Sequence, residues 1–264
     1  MSAVAGGVRL FLCGDVMTGR GIDQLLPHPV PPHLFEAHVQ SATGYVRLAE
    51  ARCGPLGRQL EFGYPWGDAL AVLEAMQPAL RIVNLETAVT VSEDAQAGKG
   101  IHYRMHPAAA IAPQRQPGDL VVLSIHWGDN WCPAVPPAHR EFARELIESG
   151  AVDVVHGHSS HHVLPFEIIG GKLVLYGCGD FINDYEGIAG HEAFRPDLAL
   201  MYFPRLARAS GKLDELLLVA MRRRGLRLER ADAQDAALLA GMLQSPPFEG
   251  RIALRPDGVL ALAG

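Results

Sequence analysis

One segment, Val152–Asp184, constrains the fold and the chemistry of this chain more than any other part of the sequence. It opens with β-branched residues that predict a buried strand, and a histidine-rich turn follows at once. Because ligands gather at the carboxyl ends of strands in open α/β sheets, these imidazoles are expected at a site. His158 and His161 are three residues apart, and a tight loop at that spacing can direct both toward one metal ion. The alternative is a polar loop whose histidines only cap strand and turn groups.

The second half of this segment predicts a β-hairpin. Two apolar runs, Phe166–Ile169 and Lys172–Tyr176, flank Gly170-Gly171, which is a two-residue hairpin signal. The hairpin is expected to return Gly177–Asp180 to the same end of the sheet. Beyond Asp184, the pattern predicts antiparallel strands and one further helix.

Three other predicted strands also end in polar side chains. The strand Val8–Cys13 is followed by Asp15, the strand Leu80–Val83 by Glu86, and the strand Asp119–Ile125 by His126. A carboxylate at such a position can bind metal, and Glu86 can bridge two ions with its two oxygens. Asn84 is a weaker candidate because an Asn there can simply cap a turn. Likewise, Asp15 can instead organise its own turn beside Gly14.

A helix over Pro136–Glu148 lies between the strands that carry His126 and His158. Its proline falls in the first turn, its apolar residues share one face, and Gly150 follows its end. Strand, helix and strand together predict a right-handed βαβ unit with two adjacent parallel strands. We therefore expect His126 to lie at the same sheet edge as His158 and His161.

Several basic residues are candidates for contact with an anion. Arg20 follows the Asp15 turn, and an extended segment near residue 104 would place His102 and Arg104 on one side. The alternatives are a surface ion pair for Arg20 and an ordinary solvent-facing side for the pair. The basic run Arg222–Arg224 is interpreted as a solvated strand end.

The composition restricts the class of protein. The 264 residues are interpreted as a single domain, and the formal net charge of −6 gives no reason to expect nucleic-acid binding. The four cysteines show no CxxC spacing, which favours a reducing, cytoplasmic location. The N-terminus lacks the pattern of a signal peptide, and no apolar run reaches the length of a membrane span. We expect a soluble, unanchored protein.

Five motifs together resemble the CapA family of poly-γ-glutamate capsule biosynthesis proteins, which share the calcineurin-like metallophosphoesterase architecture. They are GDVMTGRG at 14–21, VNLETAVT at 83–90, SIHWGDNW at 124–131, HGHSSHHV at 156–163 and LYGCGDFIND at 175–184. The resemblance implies an α/β fold, specifically a four-layer α/β/β/α sandwich.

The same resemblance implies a hydrolytic centre with two divalent ions, Mn, Fe or Zn, that acts on a phosphoester or related acyl bond. The implied metal ligands are Asp15, Glu86, His126, His158 and His161, and the three histidines among them carry the catalysis. Arg20, His102 and Arg104 would contact the substrate, which is expected to be an anionic small molecule or polymer. Carboxylates neutralise and bridge such ions, and imidazoles complete their coordination.

Two departures from the family pattern affect these expectations. Where metallophosphoesterases have Asp-x-His, this chain has Asp15-Val16-Met17, and it contains no Asn-His pair. Only the linker Ala108–Gly118 stands where the family has an Asn-Asn-His segment, so the chain is expected to be internally shortened. The loss predicts an open pocket, an exposed apolar patch that favours oligomerisation, and weak or absent hydrolysis. A catalytically degenerate metal-binding or anionic-polymer-binding module is therefore the alternative to an enzyme, and an α/β domain with structural histidines is a third.

Overall fold

The computed structural model describes residues 7–27, 29, 31–34, 36, 39–61, 63–85, 119–150 and 152–263. The helices are α1 (Arg20–Asp23), α2 (Thr43–Cys53), α3 (Ala69–Met76), α4 (Pro137–Glu148) and α5 (Ala233–Leu243), with 3-10 helices at Tyr64–Trp66 and Glu192–Phe194. The strands are β1 (Gly7–Val16), β2 (Leu80–Leu85), β3 (Val122–His126), β4 (Val154–His158), β5 (Phe166–Ile169), β6 (Lys172–Leu175), β7 (Asp180–Ile182), β8 (Leu198–Ala207), β9 (Leu213–Arg224), β10 (Arg227–Arg230), β11 (Arg251–Leu254) and β12 (Val259–Ala263).

These strands form two mixed sheets. The larger sheet has the order β11-β12-β9-β8-β1-β2, with β10 paired to β9 and β7 paired to β1. In it, β1 runs parallel to β2 and β7 but antiparallel to β8. The smaller sheet has the order β3-β4-β6-β5, in which β5 alone is antiparallel to its neighbour. The predicted α/β class is confirmed, and so is the parallel pairing of β3 and β4 on either side of α4.

Strand β1 carries apolar residues on both faces, and each face packs into a different apolar cluster. Successive side chains of a strand point to opposite sides of the sheet. Leu10 and Leu12 accordingly belong to one apolar cluster, and Phe11 and Cys13 belong to another. A continuous apolar run, rather than alternation with polar residues, is typical of a strand buried in this way.

Three apolar clusters hold the layers together. One lies between the two sheets and includes Leu12 of the larger and Val154 of the smaller. A second joins the other face of the larger sheet to α2 and α3, and a third joins the other face of the smaller sheet to α4. Each fully buried aliphatic side chain contributes about 1.5–3 kcal/mol, so these faces fix the positions of the strands.

The predicted hairpin and the predicted last helix are both present. Strands β5 and β6 pair antiparallel, and Gly170 and Gly171 have φ of 60° and 84°, the left-handed values that such a turn requires. Asp232 precedes α5, and its side chain accepts a hydrogen bond of 2.9 Å from the amide of Asp235. A side chain just before a helix commonly accepts a hydrogen bond from an amide of the first turn, which has no partner within the helix.

The interpretation of Arg222–Arg224 as a solvated strand end is wrong for its middle residue. Arg223 is 8% exposed, while Arg224 is exposed. Because β9 alternates its side chains, Arg223 points to the opposite side from both neighbours.

Candidate metal centre

Asp15 lies near the carboxyl end of β1 and is fully buried. Its partner in β2 is Asn84, whose Nδ2 donates a hydrogen bond of 2.8 Å to Asp15 Oδ1. Its partner in β7 is Asp180. Asn84, the weaker candidate of the sequence analysis, therefore holds the Asp15 carboxylate directly.

Gly14 is needed beside Asp15 for a reason other than the sharp turn that the sequence suggests. It lies inside β1, where a Cβ atom would stand 1.6 Å from the carbonyl oxygen of Gly179. Asp15 donates its amide to that same carbonyl at 3.0 Å. The absence of a side chain therefore lets β7 approach β1, which brings Asp180 next to Asp15.

His126 and His158 face each other across β3 and β4. They are paired in register at the ends of the two parallel strands, and their Nδ1 atoms are 3.3 Å apart. His158 is 4% exposed, and its Nδ1 also lies 3.4 Å from Asp15 Oδ1. His126 is exposed, so the group opens to solvent on that side. The two sheets thus bring three residues from distant parts of the chain to one point.

Burial keeps the imidazole of His158 neutral. Burial, with smaller contributions from the neighbouring His156 and His126, lowers the pKa of His158 to about 3. A neutral imidazole has the free lone pair that a metal ligand needs. His158 is therefore in the protonation state that binds a cation at neutral pH.

The three residues fit a divalent metal by spacing as well as by donor type. Asp15, His126 and His158 each offer one ligand atom, and these atoms all lie within 4.8 Å of one another. Two nitrogen or oxygen ligands on a tetrahedral ion, each about 2.1 Å from it, stand about 3.4 Å apart. The measured 3.3 and 3.4 Å agree with that separation and exceed the usual length of a hydrogen bond. Two imidazoles and a carboxylate are a donor set that suits Zn, Mn or Fe.

His161 lies beside this group but is bonded elsewhere. Its Nδ1 is 2.9 Å from Oδ1 of the buried Asp180, whose Oδ2 accepts a hydrogen bond of 2.6 Å from Asn183. Ser159, with φ of 111°, turns the chain between the two histidines. A carboxylate that holds Nδ1–H leaves the lone pair of Nε2 free, as in many metal-binding histidines. His161 is thus oriented by Asp180 and is not one of the three clustered residues.

His156 also belongs to this region, although it is not among the predicted site residues. It is fully buried in β4, and its Nε2 is 2.7 Å from the carbonyl oxygen of Cys13 in the other sheet. Ser124 lies between the two histidines, with Oγ 3.2 Å from His156 Nδ1 and 3.2 Å from His158 Nε2. The predicted strand stops at the histidine-rich turn, whereas β4 continues to His158. In a strand of this length, His156 and His158 lie on one face because they are two residues apart.

Arg20 makes two ion pairs with protein carboxylates. Its guanidinium lies 2.7 Å from the buried Asp184 and 2.8 Å from Glu36, and it stacks over the ring of Tyr45. This geometry corresponds to the ion-pair alternative, and an anion-binding role for Arg20 stays a prediction. Glu86, His102 and Arg104 lie outside the described residues.

The chain matches one known protein family. A profile for the bacterial capsule synthesis protein family PGA_cap matches residues 9–112 and 108–185, which together span most of the chain. The chain belongs to the PGA_cap family. The resemblance to CapA proteins is thereby confirmed.

Relatives of this PGA_cap member include capsule proteins. It is 33% identical over 362 positions to a “Probable polyglutamine synthesis accessory protein” of Mycobacterium tuberculosis, covering 96% of this chain and 95% of that protein. It is 31% identical over 74 residues to the PGA biosynthesis protein CapA of Bacillus subtilis, covering 28% of this chain and 19% of that protein. With the capsule biosynthesis protein CapA of Bacillus anthracis it shares 29% identity over 72 residues, 27% of this chain and 17% of that protein.

The alignment with the mycobacterial relative also bears on the length of this PGA_cap member. It extends over 362 positions, whereas this chain has 264 residues, so the relative carries many residues opposite gaps in this chain. The two family matches overlap at residues 108–112, within the linker where the sequence predicts a lost segment. Both observations agree with internal shortening. In the described ranges, no helix has the length and apolar character of a membrane span.

Proposed function

We propose that this PGA_cap member takes part in the synthesis of a capsular glutamate polymer, and that its Asp15–His126–His158 group binds a divalent metal. The family membership and the names of the relatives support the first part. The spacing of the three ligand atoms supports the second and is the observation that carries it.

We also propose that the whole chain forms one domain and that this domain has the metallophosphoesterase-like sandwich. The three apolar clusters support it, since they alternate with the two sheets between α2 and α3 on one side and α4 on the other. In this arrangement the carboxyl ends of β1, β3 and β4 meet at the metal-binding group.

Each residue of the proposed centre has a role that its contacts support. Asp15 supplies a carboxylate oxygen held by Asn84, and His126 and His158 supply imidazole nitrogens from two paired strands. Glu86, the next residue in the sequence after β2, is the proposed further carboxylate. When bound, a divalent metal polarises a phosphoryl or carbonyl oxygen and lowers the pKa of water.

His161, which lies beside the three clustered residues, is proposed to act as a further metal ligand or as a proton acceptor. Asp180 holds its Nδ1, so its Nε2 can bind a cation or accept a proton, and it stands next to the exposed opening beside Trp131. The activity supported by this set is hydrolysis of a phosphoester or related acyl bond in an anionic substrate.

Binding of an anionic polymer without turnover is the second candidate function. The gaps in this chain against its relative favour it, because lost residues can include groups needed for proton transfer. This alternative keeps the metal-binding group and its pocket, and it differs only in the absence of hydrolysis.

Metal analysis of untagged protein, followed by a hydrolysis assay on bis-p-nitrophenyl phosphate, tests both candidates. We expect Mn, Fe or Zn to copurify with the wild-type protein and to be lost from His158→Gln. His33→Gln, at an exposed position, is the matched control and should retain metal. Metal with hydrolysis supports the enzyme, and metal without hydrolysis supports the binding module. Equal metal content in wild type and His158→Gln would refute the proposed centre.

A further inference from the structure

A cavity of about 390 Å³ adjoins the candidate metal centre. It is bounded mainly by the loop between β7 and β8, and its lining includes Trp131, His161, Tyr185, His191, Arg195 and Arg223. It shares His161 with the region of the metal centre. A molecule bound in this cavity would therefore extend toward the proposed reaction site.

Arg223 is the buried cation of this cavity. Its Nη1 donates a hydrogen bond to the carbonyl oxygen of Asp180, while its Nη2 is buried without a hydrogen-bond partner among the described residues. An unpaired buried donor costs about 1–3 kcal/mol, and more when the group is charged. Such a group needs an explanation, and an anionic ligand that accepts from Nη2 provides one.

Most of the other charges of the lining are already engaged. Arg195 donates Nε and Nη2 to Asp197 and Nη2 to Asp235. Of the lining carboxylates, Glu186 accepts from the amide of Leu226, and Glu192 accepts from the amide of Gly190. Arg52 is exposed at the rim.

The charges around Arg223 do not fully offset the cost of burying its guanidinium. Burial lowers the pKa of Arg223, although the charges of Asp180, Asp197 and Glu186 act in the opposite direction. The net effect is a desolvated guanidinium, and a ligand carboxylate would stabilise it.

The remaining wall of the cavity is aromatic and apolar. The rings of Trp131 and His191 are stacked with centroids 3.9 Å apart and an angle of 2° between their planes. Tyr185 and Ile188 complete this wall, and Ile188 is 47% exposed. Flat rings pack against methylene groups, whereas the unpaired Nη2 of a buried guanidinium donates charge-assisted hydrogen bonds to a carboxylate. The combination fits a carboxylate carried on a short aliphatic chain, as in a glutamyl residue.

We propose that this cavity, the Arg223 cavity, is a carboxylate-binding subsite that holds a glutamyl residue of the substrate beside the metal centre. The inference rests on the proposed function for its glutamate polymer. Asp180 connects the two sites, because its carbonyl accepts from Arg223 and its carboxylate holds His161. Binding in the cavity is therefore positioned to place the next bond of the polymer near the metal ligands.

Calorimetric titration of the full chain, freed of metal and chelator by dialysis, tests this inference. The probe is the dipeptide γ-glutamyl-glutamate, compared with its fully amidated analogue and with inorganic phosphate. We expect the acid to bind, the amide to bind far more weakly, and Arg223→Gln to weaken binding of the acid roughly tenfold or more.

A second variant keeps the test valid if Arg223→Gln does not fold. Ile188→Asp adds a negative charge at the exposed mouth and should weaken binding several-fold, while Leu238→Asp, at a comparably exposed position of α5, should not. Equal binding by wild type and both cavity variants, equal binding of acid and amide, or no binding of the acid would overturn the inference. Arg223-dependent binding of phosphate alone would overturn the carboxylate assignment.

Metal uptake is measured on the same preparations after Mn²⁺ or Zn²⁺ is added back, so the two proposals fail separately. Arg223-dependent binding of the acid in a protein that takes up no metal would refute the proposed metal centre and support the subsite. A protein that takes up metal but shows no Arg223-dependent binding would refute the subsite alone.

Discussion

The Nδ1 atoms of His126 and His158 are 3.3 Å apart at the ends of two paired parallel strands. At this separation both atoms can be ligands of one ion, and both lie near the carboxylate of Asp15. The chain between them forms α4, which packs on the outer face of the smaller sheet through Ala143 and Ile147. The βαβ connection therefore builds the centre without contributing a side chain to it.

Bound metal should stabilise the fold. A ligand present at a hundredfold excess over its Kd stabilises the native state by about 2.7 kcal/mol. We expect Mn²⁺ or Zn²⁺ to raise the Tm of the wild-type protein by several degrees and a chelator to reverse the change. His158→Gln and Asp15→Asn should show little response. Identical midpoints with metal and with chelator would instead support structural histidines.

Loss of the Asn84 amide should weaken metal binding without unfolding the protein. Asn84 Nδ2 donates to Asp15 Oδ1 at 2.8 Å, and groups that orient a metal ligand are commonly worth ten- to a hundredfold in affinity. Asn84→Leu should therefore show metal affinity reduced about tenfold or more by calorimetry. Gln40→Leu, which removes an exposed amide, is the control and should be unchanged. Unchanged affinity in Asn84→Leu would show that Asp15 needs no such support.

His156 should matter for stability because it joins the two sheets. Its Nε2 contacts the Cys13 carbonyl at 2.7 Å in a fully buried position. Leucine keeps much of the volume but cannot form this bond, so His156→Leu should lower the free energy of unfolding by about 1–3 kcal/mol in urea. His33→Gln should differ little from wild type. A similar urea midpoint for His156→Leu would mean that apolar packing alone joins the sheets.

The ion pair of Asp197 with Arg195 predicts a pH dependence of stability. Burial alone would raise the pKa of Asp197, but hydrogen bonds from Arg195 and its charge lower it below the ordinary value of 3.8. A carboxyl pKa lowered by folding stabilises the native state above the unfolded pKa, and this stability is lost as the pH falls through the folded pKa.

The effect is small because the Asp197 side chain is 39% exposed, so we expect less than about 1 kcal/mol. Asp197→Asn should reduce the difference in unfolding free energy between pH 6 and pH 3, whereas the exposed Asp214→Asn should reduce it less. Equal slopes for the two variants would contradict the role of the pair.

Much of this architecture was predictable from sequence because its determinants are local. The apolar run of β1, the Gly170-Gly171 turn and the proline at the start of α4 each identify their element. The meeting of His126 with His158 follows from the rule that the carboxyl ends of neighbouring parallel strands share an edge, whereas Asp15 approaches them from β1 of the other sheet.

The features that the sequence did not predict depend on long-range pairing. Asp180 becomes important only because β7 joins β1 beside Asp15, and Gly14 permits that approach. Arg223 has the local appearance of a surface charge, but it is buried and contacts residues that are distant in sequence, such as Asp180. Neither contact has a signal within a few residues of the side chain concerned.

The last prediction concerns the shortening. In the described part of the chain, β2 ends the larger sheet and β3 ends the smaller one, and Leu80 at the start of β2 is 53% exposed. Apolar surface and unpaired strand edges at these positions favour association between copies. We expect concentration-dependent oligomers in sedimentation and weak or no hydrolysis by the 264-residue chain.

Restoring the segment should reverse both properties. A chimaera that receives the Asn-His-bearing segment of a full-length relative in place of residues 108–118 should gain metal affinity and turnover together, because an added amide and imidazole complete the centre. The same chimaera with Ala-Ala in place of Asn-His is the control, and it should become monomeric without gaining turnover. If the unmodified chain is already monomeric and hydrolyses phosphoesters at the rate of the chimaera, the missing segment is not needed.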